Sequence, residues 1–432
     1  MGSAVNIALP SIAAEFDLDA VSLSLVASSY LLATAIFLVP LGRCADIYGR
    51  KKVFTLGVTI FTASALLSAL ATSGPMLIVF RFLEGIGSAM IYGTGVAMIT
   101  SVFPPEERGR VLGINVTAVY VGLSIGPLLG GYLTELLTWR SIFLTNIPLG
   151  IYIVYQIRRH LAGEWADACG ERLDIVGSVF YGAMLLFAIY GFSLLPEQAG
   201  VAAIVAGVAF SVVFYAWERR VESPVLNIGL LASNRAFAFS NLTALINYGA
   251  TFAVGFLLSL YLQYIRGYEP VAAGTLLLVQ PVIQVFVAPV AGRLADRVQP
   301  GHVASVGMAI SAVGLFGLSM LGETTSVGVI LALLILLGVG VGLFSSPNTT
   351  AIMGCVEKRF YGSASAMTAM MRSLGMMLSM GAVLVVFAVI MGSTAVTPAI
   401  FPEFLTSVHL IFLAFGILST FGVFLSLRRN KC

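Results

Sequence analysis

Charge is scarce in this sequence. Asp, Glu, Lys and Arg make up only 10% of its 432 residues, where a soluble domain carries roughly 25%. So few charges cannot clothe a water-facing surface, which excludes a soluble globular enzyme. The net charge is only +3 and no basic run exceeds three residues, which excludes a nucleic-acid binder. Cysteine is scarce as well. Cys44, Cys169, Cys355 and Cys432 are scattered over the whole length and form no disulfide framework. With three histidines there is no metal-ligand cluster, and no Walker loop or nucleophile–base arrangement occurs. An ATP-driven pump, an enzyme and a metal or organic cofactor are therefore not expected. What is abundant is apolar: 59% of residues are hydrophobic, and the mean hydropathy is +0.99. The class is an all-α polytopic membrane protein with a lipid bilayer as its surroundings.

A helix needs about 20 apolar residues to cross the hydrocarbon core. Thirteen such runs are predicted: 20–41, 53–71, 76–99, 111–133, 141–156, 175–194, 200–217, 236–262, 271–291, 303–321, 327–346, 363–391 and 405–427. A shorter apolar piece, 1–14, precedes them and reads as part of a helix whose beginning lies upstream, giving fourteen spans. The distribution of positive charge tests this count, because cytoplasmic loops collect Lys and Arg. Of the 23 basic residues, all but Arg81, Arg140, Arg266 and Arg372 fall in alternate loops or in the C-terminal tail. Those loops and the C-terminus are assigned to the cytoplasm, in a cell membrane. All four cysteines then face the reducing side, and no disulfide is expected.

Gly42-Arg43-Cys44-Ala45-Asp46-Ile47 recurs as Gly292-Arg293-Leu294-Ala295-Asp296-Arg297, 250 residues later. A repeat this long marks a duplicated architecture. Six spans use only about 200 residues at this helix length, so two further helices stand between the halves. Residues 175–194 and 200–217 fill that place. The predicted domains are 1–157 (a six-helix half with its first helix incomplete), 158–235 (a cytoplasmic connector and two central helices) and 236–432 (the second six-helix half).

The motifs carry a resemblance. Gly42-Arg43-Cys44-Ala45-Asp46-Ile47-Tyr48-Gly49-Arg50-Lys51-Lys52 resembles motif A of the major facilitator superfamily. Gly122-Leu123-Ser124-Ile125-Gly126-Pro127-Leu128-Leu129-Gly130-Gly131 resembles motif C of its antiporters. Gly122, Gly126 and Gly130 share a helix face and invite a close neighbour, and Pro127 removes one helical hydrogen bond. Residues 77–87, Leu77-Ile78-Val79-Phe80-Arg81-Phe82-Leu83-Glu84-Gly85-Ile86-Gly87, resemble motif B. Its usual Gln is Glu84 here. Residues 6–10, 139–150 and 363–375, the last with Arg372, are similar to stretches of the fourteen-span drug:proton antiporter branch. The resemblance implies a major facilitator fold and a secondary active transporter. Its expected function is proton-coupled export of amphipathic organic compounds by alternating access, with a small organic substrate and protons as partners. A monomer is expected. Conformational gating is carried over to Gly42, Asp46, Gly49, Arg50, Gly122, Gly126, Pro127, Gly130, Gly292, Asp296 and Arg372. One departure stands out. The branch commonly has an aspartate four residues before the Asn of its Asn-x-Ala-Leu-Pro stretch, and Gly2 stands there.

Glu84 is the one acid inside a predicted span. An ionised carboxylate there costs ~2.5 kcal/mol or more unless paired or hydrated, and Arg81 lies one helical turn away. The pair is the candidate for proton coupling; a permanent ion pair that braces the helix is the alternative. Substrate is expected near mid-membrane between the halves. The candidates for contacting it are Asn6, Tyr30, Tyr92, Asn241, Asn247, Tyr248, Gln280, Gln284 and Asn348, each of which also suits a plain interhelical hydrogen bond. Two rival functions remain open: a metabolite exporter or facilitator without proton coupling, and a membrane sensor that does not transport.

Overall fold

The computed structural model describes residues 2–103, 105–166, 168–195, 197–221, 224–226, 234–295, 297–356, 361–392 and 400–428. Among them there are helices and turns and no strand. Hydrocarbon offers no partner to a peptide group, so a spanning segment must bond its own backbone, and these Ala-, Leu-, Val- and Gly-rich runs do so as helices. In order they are α1 (Gly2–Phe16), α2 (Ala20–Tyr48), α3 (Arg50–Ala69), α4 (Gly74–Val102), α5 (Pro105–Leu136), α6 (Arg140–Leu144), α7 (Asn146–His160), α8 (Ile175–Ser193) and α9 (Gln198–Glu218). Then follow α10 (Arg235–Thr251), α11 (Val254–Leu260), a π turn (Tyr261–Ile265), α12 (Pro270–Leu277), α13 (Val279–Ala295), α14 (Pro300–Leu318), α15 (Val327–Gly354), α16 (Tyr361–Ile390) and α17 (Phe401–Leu427). Eleven stretches among the described residues are long and apolar enough to cross a membrane. They correspond to all the predicted spans except 111–133, which lies within α5, and 141–156.

The structure departs from the predicted runs at four places, and proline or glycine is behind three of them. Residues 141–156 are split at Thr145 into α6 and α7, where Pro148 has no N–H to return to Leu144. The span 271–291 stands within one apolar stretch, Pro270–Ala295, with a break at Leu278, where Pro281 gives nothing to Leu277. The third correction concerns the first motif. A loop was expected after residue 41, but α2 runs on to Tyr48 and the whole turn is Gly49, at φ 120°. The span 236–262 is also interrupted, at residues 252–253, where the Ala253 N–H is taken up by the Ser379 hydroxyl at 3.1 Å. Cys44 and Cys169 are free thiols, but Cys355 is disulfide-bonded. The expectation of no disulfide rested on the assigned membrane side, which says nothing about distances between thiols.

The chain packs as two compact units: Met1–Ser24 with Thr117–Trp139 and Leu230–Cys432, and Leu25–Val116 with Arg140–Gly229. In the second of these, α3 and α4 cross at Gly57 and Gly87, where a Cβ on Gly87 would lie 2.8 Å from the Gly57 carbonyl oxygen. The central helix α8 is tied to α2 by Tyr181, whose hydroxyl donates to the Ala35 carbonyl at 3.1 Å. In the first unit, α14 and α15 cross at Gly307 and Gly340, where a Cβ on Gly307 would lie 2.6 Å from the Gly340 oxygen. Gly307 stands 250 residues after Gly57, the same displacement as the repeated motif. Small residues at both crossings serve one end: without a hydrophobic drive between helices in lipid, close backbone packing holds them together.

Candidate functional site

The Arg81–Glu84 pair on α4 is sealed in the unit formed by Leu25–Val116 and Arg140–Gly229. Gly85 makes this possible. A Cβ there would lie 2.7 Å from the Ala33 Cβ and would collide with the Tyr30 carbonyl, so only glycine lets α4 lie so close to α2. Thr34 fastens the contact, its hydroxyl donating to the Tyr30 carbonyl at 2.8 Å and standing 3.3 Å from the Gly85 carbonyl. Across this seam Arg81 is 2% exposed and Glu84 0%. The Arg81 guanidinium donates to Glu84 Oε2 at 2.7 Å and through Nε to the Val26 carbonyl at 3.4 Å. Its Cζ lies 4.4 Å from the centre of the Tyr30 ring and 5.8 Å from that of Phe143. Two aromatic faces therefore share the cation with one carboxylate oxygen. The second oxygen, Glu84 Oε1, is buried with no hydrogen-bond partner among the described residues. Tyr30 is itself fixed, its hydroxyl 2.6 Å from Ser88 Oγ. Chemically this is a buried carboxylate with one oxygen paired to a cation and the other without a partner among the described residues.

The turn between α2 and α3 is a second constellation. Asp46 Oδ1 accepts from Arg50 Nε at 2.9 Å and Nη2 at 2.7 Å, and Arg50 Nη1 donates to Ser101 Oγ at 2.6 Å. Three helices thereby meet on one guanidinium. Gly42 lies against Gly93 of α4. Of the repeated copy, Gly292 sits at the end of α13, where a Cβ would be 3.1 Å from Ser346 Oγ. Asp296 lies outside the described residues.

On α5 the glycine stripe does not act as one face. A Cβ on Gly130 would lie 2.6 Å from the Ala4 oxygen, and Gly126 meets the Ser3 side chain, so α1 packs tightly here. Gly122 has open space instead. Pro127 gives its carbonyl to the approach of Gly274 on α12. Beside Gly122 is a shallow apolar groove of about 300 Å³, lined by Val121, Ser124, Ile125, Val282, Val285 and Phe286.

The predicted substrate contacts are dispersed. In the unit with α10, Asn241 and Asn348 are buried and spend their amides on structure: Asn241 Nδ2 donates to the Phe237 carbonyl at 3.0 Å and Asn348 Nδ2 to the Ser240 carbonyl at 3.3 Å. Asn6 and Tyr248 are half-buried, as are Gln280 and Gln284. None of these lines the apolar groove. Asn247 is different. It is fully buried, and both its amide nitrogen and its oxygen lack a partner among the described residues. Of the rest, Tyr30 belongs to the Arg81 cluster, whereas Tyr92 and Arg372 are exposed on α4 and α16.

A model of the Major Facilitator Superfamily matches residues 1–380. The chain belongs to that superfamily. It is a transporter of small substrates in a membrane, not an enzyme. Among its relatives, this facilitator is 33% identical to the cephamycin export protein CmcT of Amycolatopsis lactamdurans, over 86% of this chain and 79% of that one. It is 29% identical to the multidrug resistance protein Stp of Mycobacterium tuberculosis, over 86% and 70%. It is 28% identical to the riboflavin transporter RibZ of Clostridioides difficile, over 86% and 81%. The fold is also that of a crystallised peptide transporter POT, bound to alafosfalin, with a TM-score of 0.70 at 14% identity, covering 97% of this chain and 90% of that one.

Sequence reasoning did not find the aromatic sandwich on Arg81. Tyr30 was marked only as a substrate contact, and Phe143 not at all. Tyr30 lies on α2 and Phe143 on α6, so no local spacing links them to Arg81. It also missed the part played by residues 161–171 of the connector, which bond to the Asp46 turn.

Proposed function

We propose that this facilitator exports amphipathic organic compounds in exchange for protons, by alternating access of two six-helix halves, 1–157 and 236–432, with 158–235 between them. The observation that carries the proton coupling is Glu84: buried, joined to Arg81 through Oε2, with Oε1 unpartnered among the described residues. A carboxylate so placed changes the charge of its pocket by one when it takes a proton, and a buried charge change is a strong lever on conformation. Relatives described as a cephamycin exporter and a multidrug resistance protein support export of organic molecules. The gating role is assigned to the Asp46–Arg50 turn and to the α5 glycines. The intact protein is read as a monomer in the cell membrane with its C-terminus cytoplasmic.

The riboflavin transporter among the relatives favours a second reading, a dedicated exporter or facilitator of one metabolite, without protons. Gly2, at the place of the branch's first-helix aspartate, agrees with it. Efflux of dyes and antibiotics from inverted vesicles, with and without an imposed pH gradient, separates the two. Transport that ignores the gradient sinks the first.

A further inference from the structure

The Asp46 turn is held by a stretch of chain more than a hundred residues away. Gly49 is the N-cap of α3 and has no side chain with which to cap it, so the first N–H groups of that helix need outside partners. The connector supplies them. The Arg50 N–H donates to the Trp165 carbonyl at 2.9 Å, and the Lys51 N–H donates to Glu164 Oε1 at 2.8 Å. Going the other way, the Ala168 N–H donates to the carbonyl of Asp46 itself at 3.0 Å. Lys51 Nζ donates to the Leu161 carbonyl, and Arg43 pairs with Glu171. Five contacts thus run from Leu161, Glu164, Trp165, Ala168 and Glu171 onto residues 43–51, all within one compact unit. Gly49 suits this twice over. Its φ of 120° is one that side chains avoid, and a Cβ there would lie 2.5–2.7 Å from the Glu164 side chain.

We propose that residues 161–166 and 168–171 form a strap that keeps the Asp46–Arg50 turn in register for transport, with Glu164 as its positioning residue. The carboxylate does the work of an N-cap from across the chain, where the helix dipole also favours negative charge. Glu164 touches no substrate. It acts through the Lys51 amide, the first turn of α3 and hence the Arg50 guanidinium on Asp46. The consequence for transport rests on the proposed export function; the strap itself does not.

The test compares Glu164→Ala with Glu164→Gln in the full chain, by amide hydrogen exchange of residues 50–53 and by ethidium efflux from vesicles. Losing a cap of ordinary strength should speed exchange there about five-fold, and maximal efflux should fall several-fold with KM unchanged. The Gln variant, which keeps an acceptor oxygen, should match the parent in both. Unchanged exchange in Glu164→Ala overturns the strap. Faster exchange with unchanged maximal efflux overturns the positioning role and leaves the export reading standing. If the parent itself moves no ethidium, the export reading has failed for that probe. The strap is then decided by exchange together with maleimide labelling of Cys44, which should quicken in Glu164→Ala and stay slow if the turn is held otherwise.

Discussion

Glu84 is fully buried, with Oε2 bound to Arg81 and Oε1 without a partner among the described residues. Arg81 has two aromatic faces to lean on besides the carboxylate, so the cation is not abandoned when Glu84 loses its charge. Breaking a buried pair by removing one partner ordinarily costs ~3–5 kcal/mol. Glu84→Gln keeps an acceptor oxygen for Arg81, and the contacts with the Tyr30 and Phe143 rings remain beside the guanidinium. Glu84→Gln should therefore express and stay folded, with a modestly lower melting temperature, while gradient-driven efflux is abolished and the pH dependence of substrate binding disappears. Full gradient-driven transport by a folded Glu84→Gln protein would remove Glu84 from the proton path. A variant that fails to fold, rescued by neutralising Arg81 as well, would make the pair a brace.

At the scale of helices, glycine decides how near the elements lie, and α4 carries its own control. Gly85 is pressed against α2, whereas a Cβ on Gly95 of the same helix would meet nothing within 4 Å. Gly85→Ala should destabilise the protein by about 1–3 kcal/mol through overpacking. Gly95→Ala should gain ~0.5–1 kcal/mol from helix propensity alone. Equal effects in a detergent melting assay would mean that the α2–α4 seam is not tight. This scale also shows what was legible in the sequence. Apolar runs between basic loops gave the helices, because burial in lipid is written in composition and needs no partner to be specified. Their interruptions were harder to see. Pro148 and Pro281 break helices in the places their missing N–H groups require, but Pro40, Pro127 and Pro289 sit inside unbroken α2, α5 and α13, so proline by itself did not discriminate. The candidate site was half legible: Arg81 and Glu84 are three residues apart on one helix. Tyr30, Ser88 and Phe143 complete it from packing that no spacing encodes, and the reach of Glu164 to Lys51 spans 113 residues.

For the whole molecule, the order of spans fixes which ends share a side. Seven apolar stretches run from Gln198 to the end of α17, from Gln198–Glu218 through Phe401–Leu427, and an odd number of crossings puts the two ends on opposite faces. Cysteines introduced at Gln198 and Arg428 should react with an impermeant maleimide from opposite sides of sealed vesicles, residue 198 from outside the cell and residue 428 from the cytoplasm. Labelling of both from one side would refute the span count. Family membership was readable for the same reason that the topology was. The motifs lie in loops and at helix crossings, where backbone geometry restricts the residue type. The proposed substrate contacts are scattered over several helices, and their sum is not a motif.

Asn247 has a consequence that can be read with a thermometer. An amide buried in α10 with neither atom bonded among the described residues costs the fold about 1–3 kcal/mol. Asn247→Leu should melt several degrees higher than the parent. Activity that needs a destabilised site trades against durability. The same substitution should then slow efflux, so that the sturdier protein is the poorer transporter. A variant that is more heat-resistant and fully active would show that nothing in the working cycle uses that amide.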